Sequence, residues 1–361
     1  MDFELTEQQT EIRELARRVF SDRVTTERLK EVDAGREGFD RPLWKELGDA
    51  GLLGVALPER VGGGGFGFLE LCLVLEEGAA AAAPVPSFPS LVLAALPISE
   101  FGTDDQRTRF LAPLARGGTV LTGAFSEGTA LHADREGDSW RIRGIADLVP
   151  YADTAAAVLA PARTEEGNTA LFLLDPAGLE LEPQEITTGE PASRVHVEVA
   201  VSENAVLGSP AEGEHIIGWT LQRALVALSV MQVGTVDRAL HLTAEYTAGR
   251  DQFDRPLASF QAVQQRIADA YIDTLAMRWT AWRAAWRLSE GLPAEEEVAV
   301  AKFWASEAGL RVVTAAQHLH GGMGVDVDYP LHRYTKQAKH VELMFGAATA
   351  QLARLGDLIA R

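Results

Sequence analysis

The chain has 361 residues, of which 47% are hydrophobic and 24% charged, a composition typical of globular proteins at a length that exceeds one simple core. Its formal net charge of −19 argues against nucleic acid or an anionic membrane as a partner, because both are bound by basic faces. Cys72 is the single cysteine, which excludes an intrachain disulfide and a cysteine-based metal site.

The opening segment, MDFELTEQQ, is acidic and polar, whereas a secretory signal peptide begins with basic residues and an apolar run. The longest apolar stretches are interrupted by glycine, proline or charge before they reach the ~20 residues that span a bilayer. We therefore expect a cytoplasmic protein without a membrane segment.

Residues 1–120 have the pattern of a helical domain. Thr6 followed by Gln9 fits a capping box at the start of the first helix. The glycine run at 61–65 is not followed by Lys-Ser or Lys-Thr, so we interpret it as a turn and not as a phosphate-binding loop. A later apolar helix is expected to run from Phe68 to Ala83 and to stop at Pro84.

Residues 121–208 change to the two-residue period of half-buried strands. The clearest strand runs from Val195 to Val201 and places His196 on its polar face. Short strands separated by turn residues predict a small antiparallel sandwich or barrel. We interpret His196 as solvated, because no second ligand lies nearby at a metal-binding spacing.

Residues 209–361 return to the helical period. One face of a long helix that runs towards Tyr246 carries three leucines: Leu221, Leu225 and Leu228. A second stripe carries three tryptophans: Trp279, Trp282 and Trp286. We interpret this stripe as bundle core or subunit interface and not as a platform for a cofactor. Helices, then a small β unit, then a helix bundle predict a segregated α+β fold.

Two constellations in the third segment can carry chemistry. The first is Arg250–Leu257, reading RDQFDRPL, followed by Phe260 and Gln261. We expect Arg250 at the C-terminal end of one helix and Pro256 at the start of the next. An arginine at such a corner can bind a diphosphate through its planar guanidinium group.

The second constellation is Gln317–Gly324, which reads QHLHGGMG. The adjacent glycines Gly321 and Gly322 follow a predicted helix, so a ligand can approach their backbone closely and their N–H groups can bind anionic oxygens. We interpret His318 and His320 as structural, because a helical two-histidine metal site needs a longer spacing.

These segments resemble the signatures of the acyl-CoA dehydrogenase family, over nearly the whole chain. The first constellation is similar to the RxQFGxPLxxFQ signature, with Asp254 in place of its glycine, and supplies four of its residues: Arg250, Gln252, Phe253 and Gln261. Gln317–Gly322 is similar to the QxxGG signature, and residues 57–77 are similar to the N-terminal LPExxGG…EE pattern.

The resemblance implies an N-terminal helical domain at 1–120, a middle β-barrel at 121–208 and a C-terminal four-helix bundle at 209–361. It implies FAD as the cofactor and the α,β-desaturation of an acyl-CoA thioester, with an electron-transferring flavoprotein as the acceptor. A carboxylate would remove the α proton while hydride moves from the β carbon to the flavin. In the family, the intact motifs reach the ADP half of a neighbour's FAD, which implies seven binding residues: Arg250, Gln252, Phe253, Gln261, Gln317, Gly321 and Gly322.

The motifs for the flavin ring and the base differ from the family pattern. The late segment of the EGTxQ type has Ala347 in place of the glutamate, and the alternative position on the long helix is Ala224. Neither side chain can accept a proton. The flavin-ring segment at 122–128 lacks Gly-Ser-Asp, and the flavin-edge segment at 144–149 lacks its tryptophan.

One hypothesis explains both the absent flavin-ring and base motifs and the retained motifs for the ADP half of FAD. In it, the chain is a non-catalytic subunit that completes the FAD site of a paralogous catalytic subunit. This arrangement resembles the α2β2 acyl-CoA dehydrogenases of actinobacteria that act on steroid side-chain CoA thioesters. Two alternatives remain, a homotetrameric enzyme with a displaced base and a flavin-free structural subunit. We interpret the nearby glutamates as solvated: Glu212, Glu214 and Glu245.

Overall fold

The structure is a computed structural model that describes residues 4–35 and 37–360, so the first three residues of the acidic opening segment lie outside it. The chain forms two compact units. One contains the N-terminal helices up to Ala34, the segment Phe68–Ala83 and the chain from Leu225 onwards. The other contains Gly35–Gly67 and Pro84–Ala224.

Helices dominate both ends of the described chain, and strands occupy its middle. The α-helices are α1 Glu7–Arg23, α2 Thr26–Ala34, α3 Arg41–Asp49, α4 Phe68–Ala80, α5 Leu96–Phe101, α6 Asp104–Gln106, α7 Ala112–Ala115, α8 Gly213–Gly249, α9 Gln261–Ser289, α10 Glu295–His320, α11 Leu331–Leu343 and α12 Ala348–Ile359. The strands are β1 Thr122–Gly123, β2 Ala130–Glu136, β3 Ser139–Pro150, β4 Val158–Thr164, β5 Thr169–Leu174, β6 Glu180–Gln184, β7 Ala192–Ser202, β8 Val206–Leu207, β9 Asp251–Gln252 and β10 Arg255–Pro256. The predicted order of helices, sheet and helical bundle is confirmed, whereas the domain boundaries at residues 120 and 208 stay predictions.

Local sequence signals determine several helix ends. The Thr6 hydroxyl accepts from the Gln9 N–H at 3.2 Å and the Gln9 side chain accepts from the Thr6 N–H at 3.0 Å, which confirms the capping box. Helix α4 ends at Ala80, earlier than expected, because Ala82 takes a positive φ of 52° before Pro84. The glycine run forms a turn, as predicted, with Gly62 at a φ of 84°.

The central sheet has eight strands in the order β6-β7-β3-β2-β4-β5-β8, with β1 beside β4. The expected antiparallel pattern holds for most pairs but is wrong for two, because β4 runs parallel to both β1 and β2. Along β7, Val195 and Val197 point into the apolar core of the sheet, whereas His196 faces Glu182 at 3.6 Å on the outer side. The interpretation of His196 as a surface residue is confirmed.

Helices α4, α8 and α9 pack closely in the first unit. A Cβ on Gly234 of α8 would lie 2.1 Å from the Glu76 carbonyl oxygen of α4, so only glycine permits this approach. The buried Glu76 carboxylate accepts from Arg278 Nη1 at 2.5 Å and from Trp282 Nε1 at 2.9 Å. Burial raises the pKa of Glu76. Trp282 of the predicted stripe thus faces the bundle interior, whereas Trp279 is 47% exposed.

Among the described residues, α8 is long and apolar enough to cross a membrane by length and composition alone. The expectation that no apolar stretch reaches this length was therefore too strict. Of the most apolar 18-residue window of α8, 61% is buried within the protein, and core helices of globular proteins pass the same test.

Candidate cofactor-binding site

The first candidate segment begins where α8 ends. The Arg250 N–H donates to the Tyr246 carbonyl oxygen at 2.9 Å, which continues the helical hydrogen bonding by one residue past Gly249. The prediction that Pro256 starts the next helix is wrong: Pro256 belongs to β10, which pairs with β9 in a hairpin. Helix α9 begins only at Gln261.

Two residues with positive φ form the tip of this hairpin. Gln252 pairs with Arg255, which leaves Phe253 at a φ of 56° and Asp254 at 63° as a two-residue loop. Positive φ at both positions suits the right-handed twist of a hairpin. Asp254 replaces the family's glycine at modest cost, because aspartate tolerates the left-handed region better than most residues.

The side chains of the hairpin point outward. Phe253 is 87% exposed, and its ring lies edge-on to Phe260 with centroids 6.2 Å apart. The Arg255 guanidinium lies 4.0 Å from the Phe260 ring centroid. Gln252 and Gln261 are also exposed. This surface can contact a molecule outside the chain.

Arg250 is exposed, and within the described residues its guanidinium group forms no ion pair with a carboxylate. Several other arginines of the same helical unit have an acidic partner, such as Arg311 with Asp273 and Arg333 with Asp33. An unpaired guanidinium on a chain this acidic is available to an anionic ligand.

The second candidate segment lies at the end of α10. Gly321 has φ 58° and ψ −132°, a conformation that is essentially restricted to glycine. A Cβ on Gly321 or Gly322 would meet nothing within 4 Å, so their outer face is open. The expectation of free N–H groups is wrong for Gly321, whose N–H already donates to the Gln317 and His318 carbonyl oxygens.

The spacing before the glycine pair departs from the family signature. Three residues separate Gln317 from Gly321, whereas QxxGG has two, so His318 occupies the position of the family's glutamine. His318 is exposed and Gln317 is half-buried. Gln317 stays a prediction as a binding residue, and His318 is a second candidate that a count back from the glycines would have found.

His320 joins the two candidate segments. Its imidazole is buried, with Nδ1 2.8 Å from the Ala316 carbonyl oxygen and Nε2 3.1 Å from the Tyr329 hydroxyl. The ring stacks on Tyr246 with centroids 4.4 Å apart and planes at 21°. Burial lowers the pKa of His320. The interpretation of His320 as structural is confirmed. Its stack on Tyr246 holds the end of α8 beside Gly321 and Gly322, which we call the glycine corner.

Alanines occupy the two positions at which the sequence resemblance places the family's base. Ala347 is the N-cap residue of α12, and Ala224 is fully buried in α8. The nearby glutamates are exposed, as predicted: Glu212, Glu214 and Glu245. Hydrogen bonds from Ser209 lower the pKa of Glu212, which holds it as a carboxylate at the start of α8.

The two segments expected at the flavin ring are bonded to one another. The Ser126 hydroxyl donates to the Asp147 carbonyl oxygen at 2.5 Å, and Gly128 lies against the Asp147 side chain. The Asp147 carboxylate accepts from Arg194 Nε at 2.5 Å. Leu148 follows with a positive φ of 51° and is 49% exposed.

No cluster of three or more histidine, cysteine or acidic residues suited to a metal ion occurs in the part of the chain that the structure describes. The chain matches two family models, first that of an N-terminal domain and then that of a C-terminal domain. Residues 6–118 match the acyl-CoA dehydrogenase N-terminal domain, and residues 211–359 match the acyl-CoA dehydrogenase C-terminal domain. The chain belongs to the acyl-CoA dehydrogenase family. Members of this family are FAD-dependent oxidoreductases.

Several known proteins are similar to this chain over all or nearly all of its length. Acyl-CoA dehydrogenase FadE27 of Mycobacterium tuberculosis is 37% identical over 100% of this chain and 99% of its own length. The ChsE4-ChsE5 complex of the same organism contains a chain that is 38% identical, with a TM-score of 0.95 over 100% of this chain and 99% of that one. A variant of the Tcur3481-Tcur3483 steroid acyl-CoA dehydrogenase is 43% identical, with a TM-score of 0.91 over 98% of both chains.

Proposed function

We propose that this chain is the non-catalytic subunit of a heteromeric FAD-dependent acyl-CoA dehydrogenase and completes the FAD site of a paralogous catalytic subunit. The observation that carries the proposal is the unpaired Arg250, held beside the glycine corner by the Tyr246–His320 stack. A diphosphate needs such a cation and an approachable backbone.

The residues of this surface fit the ADP half of FAD. Arg250 would bind the diphosphate, and the exposed Gln252 and Gln261 amides can donate or accept hydrogen bonds at its edges. Phe253 at the hairpin tip offers an apolar face to the same ligand or to the partner. Gly321 and Gly322 leave room for close approach.

FAD, when bound, supplies the ring that accepts the hydride of the desaturation. This chain offers no base for the accompanying proton at either family position, because Ala347 and Ala224 have no acid–base group. The bonded Ser126–Asp147 pair occupies the place of the family's ring segments. The partner would therefore supply the base, the ring-binding segments and the acyl pocket.

Exposed apolar side chains are available for association with another subunit. Six large ones lie on α9, α11 and α12: Tyr271, Ile272, Trp279, Leu343, Leu352 and Ile359. A bound subunit that covered them would remove apolar area from water, which favours association. ChsE4-ChsE5 and Tcur3481-Tcur3483 each combine two differently named proteins, which supports a heteromeric assembly for this chain, and we propose the α2β2 form.

The substrate and acceptor follow from the family and its neighbours. We propose an acyl-CoA substrate, of the steroid side-chain class in view of the steroid enzyme among the similar structures, and an electron-transferring flavoprotein as acceptor. A fatty acyl chain is the other substrate class. The proposed location is the cytoplasm.

Two other functions make different predictions. A homotetramer with a displaced base would hold FAD and react with an acyl-CoA on its own, but the candidate glutamates are solvent-exposed. A flavin-free structural subunit would have no use for an exposed unpaired Arg250 or for the retained glutamines.

The deciding experiment measures flavin absorbance and mass for the chain alone and for the chain co-expressed with the acyl-CoA dehydrogenase paralogue encoded beside it. We expect a colourless chain and a yellow complex with fewer flavins than subunits. Arg250→Ala should weaken FAD retention in the complex roughly ten- to a hundred-fold, because a charge-assisted contact is lost. The matched control is Arg283→Ala, which removes an exposed arginine paired with Glu297. A yellow, active homo-oligomer would overturn the proposal.

A further inference from the structure

The end of α8 and the end of α10 meet through aromatic contacts. The Tyr246 ring lies one helical turn before Arg250 and stacks on His320, the residue directly before Gly321. Tyr329 closes the cluster, with its ring centroid 5.2 Å from that of His320 and 6.4 Å from that of Tyr246. Tyr246 stacks on His320 in the site as described above, whereas Tyr329 has no role there so far.

The hydrogen bonds of His320 select one tautomer. Nδ1 faces the Ala316 carbonyl oxygen, which can only accept, so Nδ1 carries the proton. Nε2 then accepts from the Tyr329 hydroxyl. A neutral imidazole has one N–H and one acceptor nitrogen, so it satisfies both contacts. Each of the two hydrogen bonds restricts the orientation of the ring plane.

Two charged residues of α8 influence the cluster. Glu245 and Arg238 act on the pKa of the Tyr329 hydroxyl in opposite directions. Burial is the largest influence on both His320 and Tyr329 and favours their neutral forms. The plane of the imidazole is therefore set by two directed hydrogen bonds and one stack, and not by an ion pair.

We propose that His320 is a positioning residue for the cofactor diphosphate: its neutral Nδ1–H tautomer fixes the end of α8, with Arg250, against the glycine corner. This inference rests on the proposed function, because it assigns Arg250 and the Gly321-Gly322 pair to one ligand. His320 itself does not touch the cofactor. Its buried ring acts through Tyr246 on one side and through the backbone of Gly321 on the other.

His320→Phe keeps an aromatic ring for the stack on Tyr246 and removes both hydrogen bonds. We expect FAD bound to the complex to dissociate about five- to ten-fold more readily, the effect of about one lost hydrogen bond on the site geometry. Tyr329→Phe should weaken FAD in the same direction by a smaller factor. Tyr334→Phe is the matched control, because its hydroxyl donates to the Ala80 carbonyl oxygen and to neither corner.

A double-mutant cycle separates positioning from general destabilisation. If His320 acts by placing Arg250, His320→Phe costs less FAD affinity in the Arg250→Ala background than in the wild type. Selective ¹⁵N labelling of the histidines of the chain alone gives a second readout, in which the His320 signal, assigned by its loss in His320→Phe, shows a protonated Nδ1 and an acceptor Nε2.

The outcomes distinguish this inference from the proposed function. If the wild-type complex contains no FAD, the proposed function and the role of His320 are both wrong. A complex that loses FAD in Arg250→Ala but keeps wild-type affinity in His320→Phe leaves the proposed function standing and overturns the role of His320. An Nε2–H tautomer, strictly additive effects in the cycle, or equal losses in Tyr329→Phe and Tyr334→Phe would overturn it as well.

Discussion

Arg278 of α9 donates to the buried carboxylate of Glu76 of α4, with Nη1 and Oε1 2.5 Å apart. Trp282, one turn further along α9, donates to the other oxygen of the same carboxylate. The second Arg278 nitrogen lies 3.3 Å from Asp237 of α8. A single guanidinium therefore ties three helices of the first unit together around a carboxylate that is largely buried.

Removal of the arginine should cost more than removal of both charges. Arg278→Met leaves Glu76 buried with only the Trp282 N–H, and we expect a loss of about 3–5 kcal/mol in the free energy of unfolding. The double variant with Glu76→Gln should recover much of that loss. Urea denaturation of the three proteins measures the difference, and equal stability of the single and double variants would contradict it.

The approach of α8 to α4 gives a matched pair of glycine substitutions on one helix. Gly234→Ala would drive a Cβ to 2.1 Å from the Glu76 carbonyl oxygen, so the helices must separate, and we expect a loss of about 2–4 kcal/mol. Gly218→Ala places its Cβ in open space and should stabilise the helix by about 0.5–1 kcal/mol. Thermal unfolding of both variants tests the pair, whose shifts must have opposite signs.

The three-segment order and the helix caps could be predicted because their signals are local. Thr6 and Gln9 lie within one turn, and the alternation from Val195 to Val201 is a property of one strand. The parallel pairing of β4 depends on which strands come together across the sheet, and no single segment encodes that. The residue pattern of a strand therefore predicts that the strand exists and which face is buried, but not which strand it pairs with or in which direction.

The candidate site was predictable as two segments but not as one place. The β9–β10 hairpin was missed for two reasons. Asp254 replaces the glycine that usually marks a two-residue turn, and Pro256 is a residue type that favours the start of a helix. The contact between Tyr246 and His320 joins residues far apart in the chain. Burial and ring geometry reveal that contact, whereas the spacing of the histidines indicated only that they bind no metal.

Lys302 on α10 predicts a pH dependence of stability. Its ammonium is fully buried and donates to the Ser306 hydroxyl at 2.9 Å and to the Glu342 and Gly346 carbonyl oxygens at 3.1 and 3.2 Å. Because these partners carry no charge, burial lowers the pKa of Lys302 from 10.5 to about 8.

The unfolded chain then binds more protons than the folded one between about pH 8 and pH 10.5, so the Lys302 contribution to stability increases with pH across that window. Relative to Lys302→Met, which has no such titration, the wild type should gain up to about 3 kcal/mol from pH 7 to pH 10.5. Urea denaturation of both proteins at several pH values measures this gain. Parallel stability curves would show that the lysine titrates normally.

The spacing before the glycine corner predicts different effects for two neighbouring residues. His318 stands three positions before Gly321 and is exposed, whereas Gln317 is half-buried. We expect His318→Ala to weaken FAD binding by the complex about ten-fold and Gln317→Ala by less than about three-fold, in line with the loss of one direct hydrogen bond. Equilibrium dialysis of the two complexes decides, and the reverse order would restore Gln317 as the contact residue.

Among the residues that the structure describes, Arg250 has no carboxylate partner, and the formal net charge of the chain is −19. At 0.1 M salt the Debye length is about 10 Å, so an approaching anion is largely screened from the protein until it comes within that distance, where it feels both the negative net charge and the guanidinium. Added salt weakens the long-range repulsion and the short-range attraction alike. The first effect speeds arrival and the second shortens residence, so an anion at this corner would exchange quickly in concentrated salt and slowly, in both directions, in dilute salt.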